Sequence, residues 1–190
     1  MDFLYDILMQ DKPSEYIKNN VDKILDIIPE LSYSINFNQN SIWHVYDVFE
    51  HILHVIDGVD KDIELRLAAF FHDIGKPFVY KEDENGIGHF FGHWDKSNEI
   101  FLKYADKYNL DDKTKRIVST LIINHDRNID KLSDEELDNL IRVFDRDGII
   151  KLFKLKRSDL LSQNKEFHYL LDNYNKQEIR VLSRKFENNK

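Results

Sequence analysis

A His-Asp pair at positions 72 and 73 is the feature of this sequence that most directly suggests metal chemistry. The pair ends the apolar segment LRLAAFF and is followed by Ile74-Gly75-Lys76. A neutral imidazole and a carboxylate are both good ligands for divalent transition metals. Because neighbouring side chains diverge by about 100° on a helix, both can reach one ion only if other helices supply further ligands. The pair therefore predicts a metal site with partners elsewhere in the chain.

A purely structural explanation exists for the same pair. His72 could pack in the core while Asp73 contacts Lys76 near the end of a helix. An aspartate at the end of so apolar a helix would be costly to desolvate unless it is paired or bound to metal. This cost favours the metal interpretation.

Three histidines precede the pair, on or just before another predicted helix. His51 and His54 lie three residues apart and share a helix face, so either or both could bind an ion. His44 lies seven residues before His51, about 10.5 Å of helix rise, which is too far for both to bind one ion directly. We therefore expect His44 to have a supporting or structural role.

Other histidines follow the pair. His89 and His93 flank two phenylalanines in an irregular segment, which could project one imidazole over the end of the helices. His125 closes the apolar run IVSTLIIN much as His72 closes its own segment. A histidine is also favoured at a helix C-terminus by the helix dipole, so both explanations of His125 stay open.

Asp159 lies in KLFKLKRSDLLSQN, where a lone aspartate inside a helix is expected to point to solvent. The neighbouring cations are interpreted as a solvated face with no binding role. They are Lys151, Lys154, Lys156 and Arg157.

The elements that position these residues are predicted to be helices, because apolar residues recur mainly at three- and four-residue spacing. The few glycines and prolines fall between such segments. The predicted helices cover about 14–28, 45–59, 63–73, 95–107, 112–124, 134–146, 149–163 and 166–186. The segment LRLAAFF is apolar on nearly every side, so we expect its helix to be central and buried.

Local signals refine this outline. Ser14 is the expected cap of the first helix, Ser133 opens a capping-box pattern, and residues 30–42 form a polar loop. An Asn-Gly pair predicts a small hairpin near residues 77–91. With 190 residues, no repeat and no linker, we expect a single domain spanning 1–190. Its motif-bearing core would run from about 41 to 164.

Composition limits the possible partners. The chain has 27 Lys and Arg against 35 Asp and Glu, a formal net charge of −8, which disfavours a long nucleic-acid footprint. It has no cysteine, so disulfides, thiolate ligands and a cysteine nucleophile are excluded. With no signal-like start and no apolar run of about 20 residues, we expect a soluble cytoplasmic protein without a membrane partner.

The order of these residues resembles the HD superfamily of metal-dependent phosphohydrolases, whose pattern is a His, a His-Asp pair and a distant Asp, all on helices. The similarity is greatest to the HD domain that follows the head of bacterial CCA-adding tRNA nucleotidyltransferases. The segments that carry it are DVFEHILHVID, LRLAAFFHDIGKP, HFFGHWDKS, LIINHD and LFKLKRSDLLSQN. The resemblance implies an all-α helical bundle of the HD type. We find no room for the strands of a nucleotidyltransferase head, so we expect an HD domain standing alone, which does not add nucleotides to tRNA.

The resemblance also implies site residues. The metal ligands that it carries over are His51, His72, Asp73 and Asp159. It thereby selects His51 over His54. In relatives with a second metal, two further histidines are similar to His93 and His125, and Asp73 would bridge the two ions.

Two further implications concern neighbours of these ligands. Lys76, in HDIGKP, is similar to the family's basic residue near the phosphate, so Asp73 and Lys76 are the expected catalytic residues. Trp94 stands where relatives commonly have an acid. The carboxylate that orients His93 would then come from elsewhere, such as Asp95.

The function that follows is hydrolysis of a phosphomonoester or phosphodiester, including a 2′,3′-cyclic phosphate, of a nucleotide or RNA end. One or two divalent ions, among Mn, Fe, Co, Ni, Zn or Mg, would hold and activate the attacking water. Two other classes stay open: a non-catalytic HD module that binds a nucleotide or partner, and a di-iron HD-fold oxygenase.

Overall fold

The computed structural model describes residues 2–184, which form a helical bundle with one two-stranded hairpin. The α-helices are α1 (Asp2–Leu8), α2 (Pro13–Asn19), α3 (Val21–Ile27), α4 (Val48–Gly58), α5 (Ile63–Phe71), α6 (Lys76–Val79), α7 (His93–Lys107), α8 (Asp112–Asn124), α9 (Asp134–Val143), α10 (Arg146–Leu161) and α11 (Leu170–Leu182). Short 3-10 segments lie at Pro29–Ser34 and Lys165–Phe167. The predicted all-α fold is confirmed. Between residues 2 and 184, no helix combines the length and apolarity needed to cross a membrane.

Helix α5 lies at the centre of the bundle, as its apolar composition predicts. All its residues from Leu65 to Phe71 are buried, and it contacts α1, α4, α7, α8 and α10. The buried guanidinium of Arg66 donates hydrogen bonds to the backbone carbonyls of Leu8 and Gln10, which ties α1 to this centre. Burial of the apolar α5 surface is the main force that gathers the surrounding helices.

Side-chain caps fix where several helices begin. In four of them an aspartate accepts a hydrogen bond from the backbone N–H three residues further on. These caps are Asp47 of α4, Asp62 of α5, Asp111 of α8 and Asp145 of α10. The predicted capping box at the start of α9 is confirmed, with Ser133 and Glu136 bonded reciprocally.

The N-terminal segment differs from the prediction. The expected helix over 14–28 is two helices, α2 and α3, that meet at Asn20. The Asn20 side chain donates to the carbonyl of Tyr16 at 2.8 Å, which satisfies a group at the end of α2. Ser14 is not a cap. Its hydroxyl and its backbone N–H instead donate to Asp57 at 2.6 and 3.1 Å, and this fastens α2 to α4.

Several other boundaries also differ. Helices α1 and α6 were not predicted, and part of the expected 30–42 loop is 3-10 helix. Helix α7 begins at His93 and α10 at Arg146, each a turn or less before the predicted start. The predicted last helix is divided into a 3-10 segment and α11, and its predicted end at 186 lies outside the described residues.

The predicted hairpin is confirmed. Strands β1 (Lys81–Glu82) and β2 (Gly88–His89) pair antiparallel, around a turn in which Gly86 has φ of 77°. The backbone N–H of Gly88 donates to the carbonyl of Asn40 at 2.9 Å. The hairpin is thereby held against the loop that precedes α4.

Gly75 allows two backbone segments to approach closely. Its N–H donates to the hydroxyl of Ser97 at 2.9 Å. A Cβ at Gly75 would lie 2.6 Å from both the carbonyl oxygen of His93 and the backbone nitrogen of Ser97. The turn after α5 can therefore reach the start of α7 only with glycine at this position.

We expect Gly75→Ala to lower the free energy of unfolding by about 1–3 kcal/mol, because the added methyl group meets backbone atoms that cannot rotate away. The measurement is the urea midpoint followed by circular dichroism. Gly148→Ala is the matched control, since its added carbon would lie 3.0 Å or more from side-chain atoms only. Equal stability of Gly75→Ala and the parent would contradict the close approach.

Candidate metal centre

The carboxylate of Asp73 lies at the centre of a cluster of imidazoles. Its Oδ2 lies 3.3 Å from Nε2 of both His51 and His72. Its Oδ1 lies 3.2 Å from Nε2 of His93 and 3.4 Å from Nε2 of His125. All five side chains are buried, and that of Asp73 is 2% exposed. The carboxylate thus faces four imidazoles from four different segments.

The ends of helices position most of this cluster. Helix α5 ends at Phe71, so His72 and Asp73 lie in the turn that follows, where the sequence predicts helix. His93 is the first residue of α7, and His125 directly follows α8. The four backbone segments therefore converge at one end of the buried α5.

Two sets of three possible metal ligands meet here, and within each set the ligand atoms lie within 4.8 Å of one another. The first set is His51, His72 and Asp159, and the second is Asp73, His93 and His125. Oδ1 of Asp159 lies 3.1 Å from Nε2 of His51, and the Asp159 side chain is only 14% exposed. The expectation that a lone helical aspartate points to solvent is therefore wrong, because this one faces a buried imidazole.

The other ring nitrogen of each of these histidines faces a backbone carbonyl. The Nδ1 contacts are His51 to Ser162 at 3.5 Å, His72 to Ala69 at 2.8 Å, His93 to Phe90 at 2.8 Å and His125 to Ile122 at 2.6 Å. We assign Nδ1 as protonated from these contacts, which leaves Nε2 as the ligand atom. This arrangement aims all four Nε2 atoms at the Asp73 carboxylate.

The charges of the cluster are strongly coupled. Burial alone would raise the pKa of Asp73, but the charges of His72 and Lys76, together with the close imidazoles of His125 and His51, hold that pKa well below its usual range. Burial alone would lower the pKa of His51, yet Asp159 and Asp73 outweigh it and raise the pKa to about 9. The centre therefore attracts positive charge.

Lys76 adds an ammonium group to the same centre. Its Nζ lies 2.6 Å from Oδ2 of Asp73, donates to Oε1 of Gln39 at 2.9 Å, and lies 3.3 Å from Nε2 of His44. Burial, followed by the charge of Lys76, lowers the pKa of His44 to about 2, so its imidazole is neutral. Gln39 is buried and donates to the carbonyl of Tyr46 at 3.2 Å. His44 therefore has the expected supporting role, because its imidazole contacts the ammonium of Lys76.

His54 and His89 lie outside the cluster. His54 is exposed and stacks on Tyr46, with 4.2 Å between ring centroids. His89 lies in β2, and its Nε2 is 3.0 Å from Oδ2 of Asp83. Of the two imidazoles on α4, only that of His51 reaches the Asp73 carboxylate.

The expectation that Asp95 orients His93 is wrong. Asp95 is exposed, and the carbonyl of Phe90 takes the position next to Nδ1 of His93. A backbone carbonyl can orient an imidazole as well as a carboxylate can. The imidazole of His93 is therefore oriented even though a tryptophan, and not an acid, follows it.

The interpretation of the cations near Asp159 as a solvated face is also wrong in part. Lys151 is buried and contacts Asp62 at 3.0 Å, together with Glu64. Lys156 is buried too, and its ammonium donates to the carbonyl of His125. These two lysines hold helices together, a role that helical spacing does not reveal.

A cavity of about 300 Å³ opens beside the cluster. Five residues of the candidate centre line this cavity, and these are Asp73, Lys76, His93, His125 and Asp159. Aromatic rings form much of its remaining wall, and these belong to Trp43, Phe90, Phe91 and Trp94. We call this space the first cavity. It gives a small molecule access to the Asp73 carboxylate.

The comparison with known proteins agrees with this geometry. Residues 42–147, more than half of the chain, match the HD domain family. The chain belongs to the HD domain family. Over 140 residues it is 28% identical to the CC-adding tRNA nucleotidyltransferase of Thermus thermophilus. This match covers 70% of the chain and 29% of the relative's length.

Proteins of this family are generally metal-dependent phosphohydrolases and bind divalent metals. The residues of this HD domain fit such an ion. Oδ1 of Asp73 is buried and accepts no hydrogen bond from any described residue. Nε2 of His93 lies 3.0 Å from Nε2 of His125, and with Nδ1 assigned as the protonated nitrogen of each ring, two acceptor atoms face each other there. A cation would relieve both features, and a mixed nitrogen and oxygen donor set suits Mn, Fe, Co, Ni or Zn.

We expect Asp73→Asn to weaken binding of Mn²⁺ or Co²⁺ by at least about tenfold, because it removes a carboxylate that belongs to the second set of ligands and faces two imidazoles of the first. Isothermal titration calorimetry of the whole chain measures this affinity. His54→Ala is the control, since it removes an imidazole of α4 that lies outside the cluster. Equal losses in the two variants would contradict the assignment of the site.

Proposed function

We propose that this HD domain is a metal-dependent phosphohydrolase that cleaves a phosphomonoester or phosphodiester bond of a nucleotide or RNA end. A 2′,3′-cyclic phosphate is included in this class. The observation that carries the proposal is the Asp73 carboxylate, which lies between two sets of His and Asp side chains and lines an open cavity.

The two sets supply ligands for one or two ions. His51, His72 and Asp159 would hold one ion, and Asp73, His93 and His125 would hold the other. When bound, a divalent ion polarises the phosphoryl oxygens and lowers the pKa of a coordinated water. In this proposal Asp73 bridges the two sets, since each of its oxygens faces a different pair of imidazoles.

Lys76 contributes fixed positive charge. Its ammonium lines the first cavity, and it is oriented by Gln39 and His44 before any substrate enters. Preorganised charge at the point where negative charge develops on phosphate oxygens stabilises the transition state. Asp73 and Lys76 are therefore the proposed catalytic residues, and Gln39 and His44 are positioning residues.

Two observations concern the kind of substrate. The formal net charge of −8 disfavours a long nucleic-acid footprint. The name of the relative concerns tRNA, which supports an RNA end as one source of the phosphate. Addition of nucleotides is not proposed, since the chain spans 29% of that relative's length.

The test is elemental analysis of the purified protein, with hydrolysis of bis-p-nitrophenyl phosphate and of 2′,3′-cyclic nucleotides in Mg²⁺, Mn²⁺, Co²⁺ and Ni²⁺. We expect bound metal and metal-dependent release of product. Bound metal without hydrolysis under any of these conditions would contradict the proposal and favour a binding module or an oxygenase.

We expect Lys76→Met to reduce kcat by about 10²–10³-fold while the bound metal is retained, because the substitution removes charge and no proposed ligand. Steady-state kinetics and elemental analysis of the same sample measure the two effects. Lys81→Met, at an exposed position of the hairpin, is the control. An unchanged kcat in Lys76→Met would exclude the catalytic role of Lys76.

A further inference from the structure

A second cavity of about 390 Å³ adjoins the first. Four residues line both cavities, and these are Trp43, Asp126, Asp159 and Gln163. Because Asp159 also belongs to the metal-ligand cluster, the second cavity begins beside the candidate centre. A phosphate held at that centre would therefore have room for a bulky substituent on the side of Trp43.

Trp43 is held in place although it is 40% exposed. Its ring stacks on Phe167, with 3.6 Å between centroids and 24° between planes. Its carbonyl accepts a hydrogen bond from the backbone N–H of Asn164 at 2.8 Å, and the Asn164 side chain donates to the carbonyl of Ile42 at 3.1 Å. A large aromatic ring that is already ordered loses little entropy when a ligand stacks on it.

The rest of the second cavity favours a flat uncharged group. Tyr169 and Tyr174 add aromatic surface, and Asp126 and Asp130 add carboxylates. Burial, followed by the nearby carboxylates, raises the pKa of Tyr174. The ammonium of Lys156, which also lines this cavity, is already bonded to a backbone carbonyl. Arg127 is the other cation of the lining, so these two cations balance Asp126 and Asp130, and the lining offers no net charge to a further phosphate.

We infer that the second cavity binds the base of a nucleotide substrate, which stacks on Trp43 while the phosphate lies at the Asp73 centre in the first cavity. The inference rests on the proposed function and narrows its substrate class. The substrate is a nucleoside 2′,3′-cyclic phosphate, a nucleoside monophosphate or the last nucleotide of an RNA. Phosphoesters without a base are poor substrates.

The kinetic test compares two cyclic phosphodiesters, 2′,3′-cyclic AMP and glycerol 1,2-cyclic phosphate, which has no base. Base stacking on an aromatic ring is worth about 1–3 kcal/mol, so Trp43→Ala should raise KM for 2′,3′-cyclic AMP by roughly 5–150-fold. KM for glycerol 1,2-cyclic phosphate should not change, and Trp43→Phe should retain most of the affinity. An equal change for the two substrates, or no change for 2′,3′-cyclic AMP, would overturn the inference.

Tyr33→Ala is the matched control. Tyr33 is also an exposed ring packed on another aromatic side chain, Phe78, at 5.0 Å, but it is absent from the lining of both cavities. We expect both KM values to be unchanged in this variant. A loss equal to that of Trp43→Ala would show that removal of any exposed ring weakens binding, and would overturn the inference.

A binding assay separates this inference from the proposed function. The chain has two tryptophans, so Trp94→Phe leaves Trp43 as the only one. With Mg²⁺ present, adenosine 3′-monophosphate should quench its fluorescence, whereas glycerol 2-phosphate should not. If the parent protein hydrolyses neither these phosphodiesters nor adenosine 3′-monophosphate, the proposed function fails, and quenching still supports the base site. Absence of quenching at millimolar nucleotide would overturn the inference.

Discussion

The burial of the Asp73 carboxylate is the constraint on which the rest of the site depends. An ionised carboxylate taken out of water costs several kcal/mol unless opposite charge and hydrogen-bond donors surround it. Here the compensation comes from four imidazoles and the ammonium of Lys76. Three of the imidazoles, those of His51, His93 and His125, come from other segments of the chain. The carboxylate is therefore fully compensated only when the helices that carry them have assembled. Site and fold are therefore formed together.

A second layer of contacts keeps the polar groups of this centre in fixed directions. Each of the four imidazoles has a backbone carbonyl at Nδ1, and these carbonyls belong to helix ends or the turns beside them. Gln39 and His44 orient Lys76 from the loop before α4. Gly75 brings the turn after α5 against the backbone of α7. Because the backbone itself supplies most of this layer, no dedicated acidic residue is needed beside His93.

The sequence predicts best those features that depend on neighbours along the chain. The apolar run of α5 and the capping box at Ser133 are of this kind, and both agree with the structure. The division of the first predicted helix, and the contact of Ser14 with Asp57, depend on residues far apart in sequence, so spacing could not reveal them. The resemblance to the HD superfamily selects the same His and Asp residues that the structure brings together. Gln39 gives no such signal, since its importance arises only from its contact with Lys76.

The most direct test of a metal centre at Asp73 is an anomalous difference map from crystals of the whole chain grown with Mn²⁺ or Co²⁺. Data collected at the absorption edge of the metal locate the ion without reference to activity. The account predicts one or two strong peaks between the Asp73 carboxylate and the Nε2 atoms of His51, His72, His93 and His125. A map with no peak at this position, or with its strongest peak elsewhere on the molecule, would contradict it.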